Sequence, residues 1–103
     1  MDILERDGSK ELAGFERCRT DLWGHAVVKE LGAKLLPTLA REDIYAEGDA
    51  VTQLEHDIKL ILAHIPAIAT ATGYEATFIT ERAQNILDAT RHAQEIDGCV
   101  VIW

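Results

Sequence analysis

The chain has 103 residues, with 18 acidic and 10 basic side chains, a formal net charge of −8 and an isoelectric point near 4.8. Its 48% apolar content is enough to fill one hydrophobic core, and its 27% charged fraction is ordinary for a globular protein and excludes intrinsic disorder. The acidic balance argues against nucleic acid, whose binding draws on Lys and Arg, and against anionic membranes, and it favours basic partners.

The whole chain, 1–103, reads as one domain. The N-terminus, Met1-Asp2-Ile3-Leu4-Glu5-Arg6-Asp7, has no signal-peptide pattern. The longest apolar stretch, Leu60 to Ala71, is interrupted by His64 and Pro66 and is too short for a bilayer. The expectation is a cytoplasmic protein. Cys18 and Cys99 have neither CxxC nor zinc-ligand spacing and read as reduced thiols.

Asp7-Gly8 supplies the positive-φ residues of a tight turn, so residues 2–7 and 10–17 are expected to form a hairpin. A helix from Ser9 carrying Leu12, Phe15 and Leu22 is the competing arrangement, weakened by Gly14. Over residues 21–40, Trp23, Val27, Leu31, Leu35 and Leu39 recur every four residues and predict a helix. Gly32 and Pro37 interrupt it, so it either kinks or ends near Gly32 with a short second helix after.

Residues 41–48 read as a connector, with Asp49 as a helix N-cap. Beyond it Val51, Leu54, Ile58, Ile61, Ile65 and Ile68 are spaced alternately by three and four, a helical seam expected to lie in the core. Pro66 should bend or break this helix near Leu62 to His64. Thr72-Gly73-Tyr74-Glu75 fits a capping box opening a helix that runs to about Ile96, with Ile79, Ala83, Ile86, Ala93 and Ile96 inward and Gly98 just past its end.

The tail Cys99-Val100-Val101-Ile102-Trp103 is β-branched and apolar. Pairing it with the N-terminal hairpin protects it from aggregation. Donation of this strand to another subunit is the other arrangement. The expected fold is therefore α+β and predominantly helical: three main helices, at least one kinked by proline, on a small antiparallel sheet made of the N-terminal hairpin and the C-terminal strand.

Catalytic signatures are missing. No GxSxG, P-loop or GxGxxG is present, and neither cysteine sits in an activating context, so the chain is read as non-catalytic and without a cofactor. His56 and His64 are eight residues apart, which puts them about 80° apart around a helix and about 12 Å apart along it. A metal site would therefore need His25, His56 and His92 to converge from different helices, with Glu55, Asp57 or Asp88 adding a carboxylate. Residues 43–54 only faintly echo a calcium loop, because Tyr45 and Leu54 stand where oxygen ligands are needed.

Charge is segregated along the chain. Residues 1–41 hold seven acids and seven bases, whereas residues 42–103 hold eleven acids against Lys59, Arg82 and Arg91. Glu42, Asp43, Glu47, Asp49, Glu55 and Asp57 follow one another without an intervening base. Within that run Glu42, Asp43, Ile44, Tyr45, Glu47 and Asp49 form the candidate partner-binding set, an aliphatic and an aromatic anchor ringed by carboxylates. The competing interpretation is a solvated acidic connector whose Ile44 and Tyr45 fold back on the core.

The functional expectation is a small acidic protein-interaction domain of the regulator, adaptor or toxin-neutralising kind, binding a protein partner with a basic surface. A metal-binding helical protein using its histidines and a structural homo-oligomer subunit are the two alternatives.

Overall fold

The computed structural model describes residues 1–3 and 12–103. The hairpin expected around Asp7-Gly8, and the start of the competing helix at Ser9, lie outside the described residues.

The fold is α+β and mostly helical. One wide helical turn, Arg19–Trp23, closes with the Gly24 amide donating to the Arg19 carbonyl at 2.8 Å. Helix α1 follows at Ala26–Glu30. The 21–40 stripe is therefore broken near Gly32, as the glycine and proline predict, and resumes as a 3-10 turn over Leu36–Ala40 with Pro37 in its first turn. Strand β1 spans Ile44–Glu47, and three helices come next: α2 (Asp49–Ala63), α3 (Ile65–Thr72) and α4 (Ala76–Ile96). Strand β2, Cys99–Ile102, ends the chain's regular structure.

The seam residues Val51, Leu54, Ile58, Ile61 and Ile68 are buried, α2 packs along α4, and Ile79, Ala83 and Ile86 of α4 are buried in the same core. Each large aliphatic side chain removed from water there contributes about 1.5–3 kcal/mol. Pro66 breaks the helix where its missing amide requires it: α2 ends at Ala63 and α3 starts at Ile65, with the proline in the first turn of α3. Trp23 is wholly buried and its indole donates to the Ala13 carbonyl at 2.8 Å.

Three local expectations are corrected. Thr72 does not open α4; its hydroxyl donates to the Ile68 carbonyl at 2.8 Å inside α3, Gly73 ends that helix in the left-handed region, and Glu75 precedes α4 without a side-chain cap. Asp97, not Gly98, takes the left-handed position after α4, and the Gly98 amide reaches back to the Ala93 carbonyl at 2.8 Å. Ile96, expected inward, is 54% exposed.

The sheet also differs from expectation. Strand β2 pairs antiparallel with β1, in the register Ile44 with Ile102, Tyr45 with Val101, Ala46 with Val100 and Glu47 with Cys99. The segment read as a connector is thus a strand. On the other side of β2, Ile3 forms a single bridge to Ile102, and Asp2 and Trp103 exchange backbone hydrogen bonds at 2.9 and 3.2 Å.

One carboxylate is buried among the described residues. Asp57, on α2, accepts from the backbone amides of Lys34, Leu35 and Leu36 at 2.6–3.1 Å and from the Gln53 side chain at 2.8 Å. It satisfies the amides at the start of the 3-10 turn, a capping role supplied from a distant helix. This, rather than metal ligation, explains the position of Asp57.

Candidate protein-interaction face

The alternation in Ile44-Tyr45-Ala46-Glu47 sorts the strand by parity. Ile44 and Ala46 point into the core and are buried, while Tyr45 and Glu47 point out. The same rule acts on β2: Val100 and Ile102 are buried, whereas Cys99 and Val101 are partly exposed and Trp103, just beyond the strand, is 43% exposed. The outer face therefore carries Tyr45, which is 66% exposed, beside its cross-strand neighbour Val101, with Trp103 one step along and Glu47 opposite Cys99.

Carboxylates border this face. Glu42 and Asp43 precede β1, Glu47 belongs to it and Asp49 begins α2; all four are exposed. Gly48 joins β1 to α2 with φ of 59°, and a side chain built there would meet nothing within 4 Å, so this corner is open to solvent. Asp49 in the first turn of α2 also favours the helix dipole. Beside the corner, Val51, Ala93, Gln94 and Asp97 border a hollow of about 160 Å³.

Asp43 is tied into the fold. Arg19 Nη2 donates to Asp43 Oδ1 at 2.5 Å, and Arg19 Nε to Glu16 Oε1 at 2.6 Å. Arg19 Nη1 adds bonds to the Leu39 and Glu42 carbonyls, both at 3.2 Å. Burial works against the guanidinium charge, but the two carboxylates outweigh it and hold the Arg19 pKa above its usual value. Arg19 thereby fixes the approach to β1 and neutralises one of the acids.

The six sequence-derived residues are accordingly divided. Glu42, Tyr45, Glu47 and Asp49 are exposed around one strand; Asp43 is exposed but ion-paired; Ile44 is buried and packs in the core, which removes it as an anchor. Val101 and Trp103 stand where the second anchor was sought. Their parity relative to Val100 and Ile102 carries the signal, but it becomes legible only once β2 is paired with β1.

The two cysteines each meet a tyrosine in different surroundings. Cys18 is buried, and desolvation raises its thiol pKa despite a hydrogen bond with Tyr74. Burial and the neighbouring Cys18 push the Tyr74 hydroxyl up to about 12. Tyr74 also stacks on Phe78 at 5.5 Å, with Phe15 against both rings. On the sheet face, the Tyr45 hydroxyl is raised chiefly by its hydrogen bond with Cys99.

The histidines are dispersed. His25 caps α1 by accepting from the Val27 amide at 3.1 Å, and His64 Nδ1 lies 2.8 Å from the Leu60 carbonyl. His56 and His92 are exposed on α2 and α4. Among the described residues, no three His, Cys, Asp or Glu side chains gather closely enough to hold a metal ion. No helix among them is long and apolar enough to cross a membrane.

No protein-family model matches this chain, and neither a curated protein nor a solved structure matches it.

Proposed function

We propose that this chain is a non-catalytic interaction domain whose outer sheet face docks a basic protein surface, in the manner of a small regulator, adaptor or toxin-neutralising protein. The observation that carries this reading is the exposed aromatic pair, Tyr45 and Trp103, beside the carboxylates of Glu42, Glu47 and Asp49. Aromatic side chains give large contact area at small entropic cost, and a carboxylate rim speeds encounter with a basic partner and selects against acidic ones.

Self-association through the same face is disfavoured by charge, because a two-fold contact would set carboxylates against carboxylates. Nor is the Val51–Ile68 row available to a second copy, since most of it is buried against α4 within the chain.

The test is a pull-down from the native cell using the wild-type chain and a variant carrying Glu42→Gln, Glu47→Gln and Asp49→Asn. Retained partners are expected to present Lys/Arg-rich surfaces, to be released by raised salt, and to be lost with the variant. Undiminished recovery of every partner by the variant contradicts the proposal.

A further inference from the structure

We propose that a hollow between α1 and the Leu36–Ala40 turn binds a small phosphorylated ligand. This site is separate from the sheet face and does not depend on the protein-interaction reading. The hollow has a volume of about 480 Å³, inside the range of roughly 300–1,000 Å³ usual for small-molecule sites.

Small side chains line part of it. Gly24, Ala33 and Ala40 line it together with Pro37. Gly24 has no alternative: a Cβ there would lie 2.4 Å from the Arg19 carbonyl oxygen and 2.6 Å from the Ala40 Cβ. These small apolar groups suit the uncharged body of a ligand.

Its rim is basic. Lys29, Lys34 and Arg41 line the hollow, and no carboxylate does. The chain as a whole has a net charge of −8, so a hollow lined by bases alone contrasts with it. Arg17, Arg19, Lys59 and Arg82 each have a carboxylate partner, whereas Lys29, Lys34 and Arg41, like Arg91 on α4, form no ion pair among the described residues. Lys34 is also fixed at its root, since its backbone amide donates to Asp57 Oδ1 at 3.0 Å. A held backbone lowers the entropy lost when the side chain engages an anion.

Three cations lining one hollow match a dianion better than they match a singly charged carboxylate. A phosphate monoester carries between one and two negative charges near neutral pH and offers three acceptor oxygens. The ligand class is therefore a phosphate monoester with a compact apolar body.

The experiment is an amide-resolved NMR titration of the full chain with phenyl phosphate and with inorganic phosphate, at ionic strength matched by sodium chloride. Saturable shifts are expected at Gly24, Lys29, Ala33, Lys34 and Arg41, with phenyl phosphate binding at least tenfold more tightly than inorganic phosphate. A variant combining Lys29→Gln, Lys34→Gln and Arg41→Gln should weaken phenyl phosphate at least tenfold at an unchanged melting temperature, while Lys59→Gln should leave it unaltered. Should the combined variant unfold, Lys29→Gln and Arg41→Gln taken singly decide, each expected to weaken binding threefold or more. Shifts that do not saturate or that spread to Lys59 and Arg91, equal affinity for the two probes, absence of any shift, or full binding by the folded variants each overturn the proposal.

Discussion

The two faces of the β1–β2 ribbon share a backbone and differ only in side-chain parity. On the inner face, Ile44, Ala46, Val100 and Ile102 are buried in the core with α2 and α4 behind them. On the outer face, Tyr45, Glu47 and Val101 meet solvent with Trp103 beside them. The inner face accounts for itself through packing. The outer face puts a large aromatic at an exposed strand position, where stability makes little demand for one. Core packing and solvent exposure are thus divided between the even and the odd residues of the same short strands.

The sharpest way to break this comparison is to truncate one side chain on each face. Ile102→Ala should destabilise the protein by about 2–5 kcal/mol, because a wholly buried side chain leaves a cavity. Tyr45→Ala should change stability by less than about 0.5 kcal/mol. Urea denaturation measures both, and comparable losses would show that the two faces are not divided as described.

The acids offer a second contrast. Asp57→Ala strips three backbone amides and the Gln53 side chain of their acceptor, and should cost about 3 kcal/mol or more. Amide exchange at Lys34, Leu35 and Leu36 should accelerate with it. Glu47→Gln, on the rim, should stay within about 0.5 kcal/mol of wild type. A large stability loss at Glu47 would assign that acid to the fold rather than to binding.

Why one acid is structural and another available cannot be read from their order in the chain, and the same limit governs the rest of the sequence. The core row from Val51 to Ile68 was legible, since an apolar residue every three or four positions has one way to be buried. The break before Pro66 and the interruption near Gly32 were also legible, because both follow from local backbone chemistry. Strand β1 was not: four residues set among carboxylates resemble a solvated connector until β2 supplies the partner. Thr72 misled because its hydroxyl can serve either the end of one helix or the start of the next, and Gly73 decides for the end. Of the candidate site, the acids and Tyr45 were legible, but the direction of Ile44 stayed open between anchor and core because its burial depends on strand parity. Trp103 and Val101 were missed because only the long-range pairing brings them beside Tyr45.

The two Cys–Tyr pairs give a smaller contrast between interior and surface. The raised pKa values of Cys18 and Tyr74 favour their protonated forms in the folded state. Their stabilisation is complete below the unfolded values of 9.0 and 10.0, and it declines as pH rises through the folded values, about 12 for Tyr74. The melting temperature should therefore fall between pH 9 and 12, and less steeply in Tyr74→Phe. At neutral pH a thiol reagent should modify Cys99 quickly and Cys18 slowly. Equal labelling of the two would contradict the burial of Cys18.

The central claim, that the outer face of the ribbon meets a basic partner, is tested most directly by photo-crosslinking in the native cell. A photoreactive phenylalanine analogue would replace Tyr45 on the sheet face or, as the control, Ala67 on the exposed side of α3. The account predicts a discrete protein adduct from position 45, joined through a Lys/Arg-rich segment, and none of that adduct from position 67. Equal adducts from the two positions, or none from position 45, would contradict it.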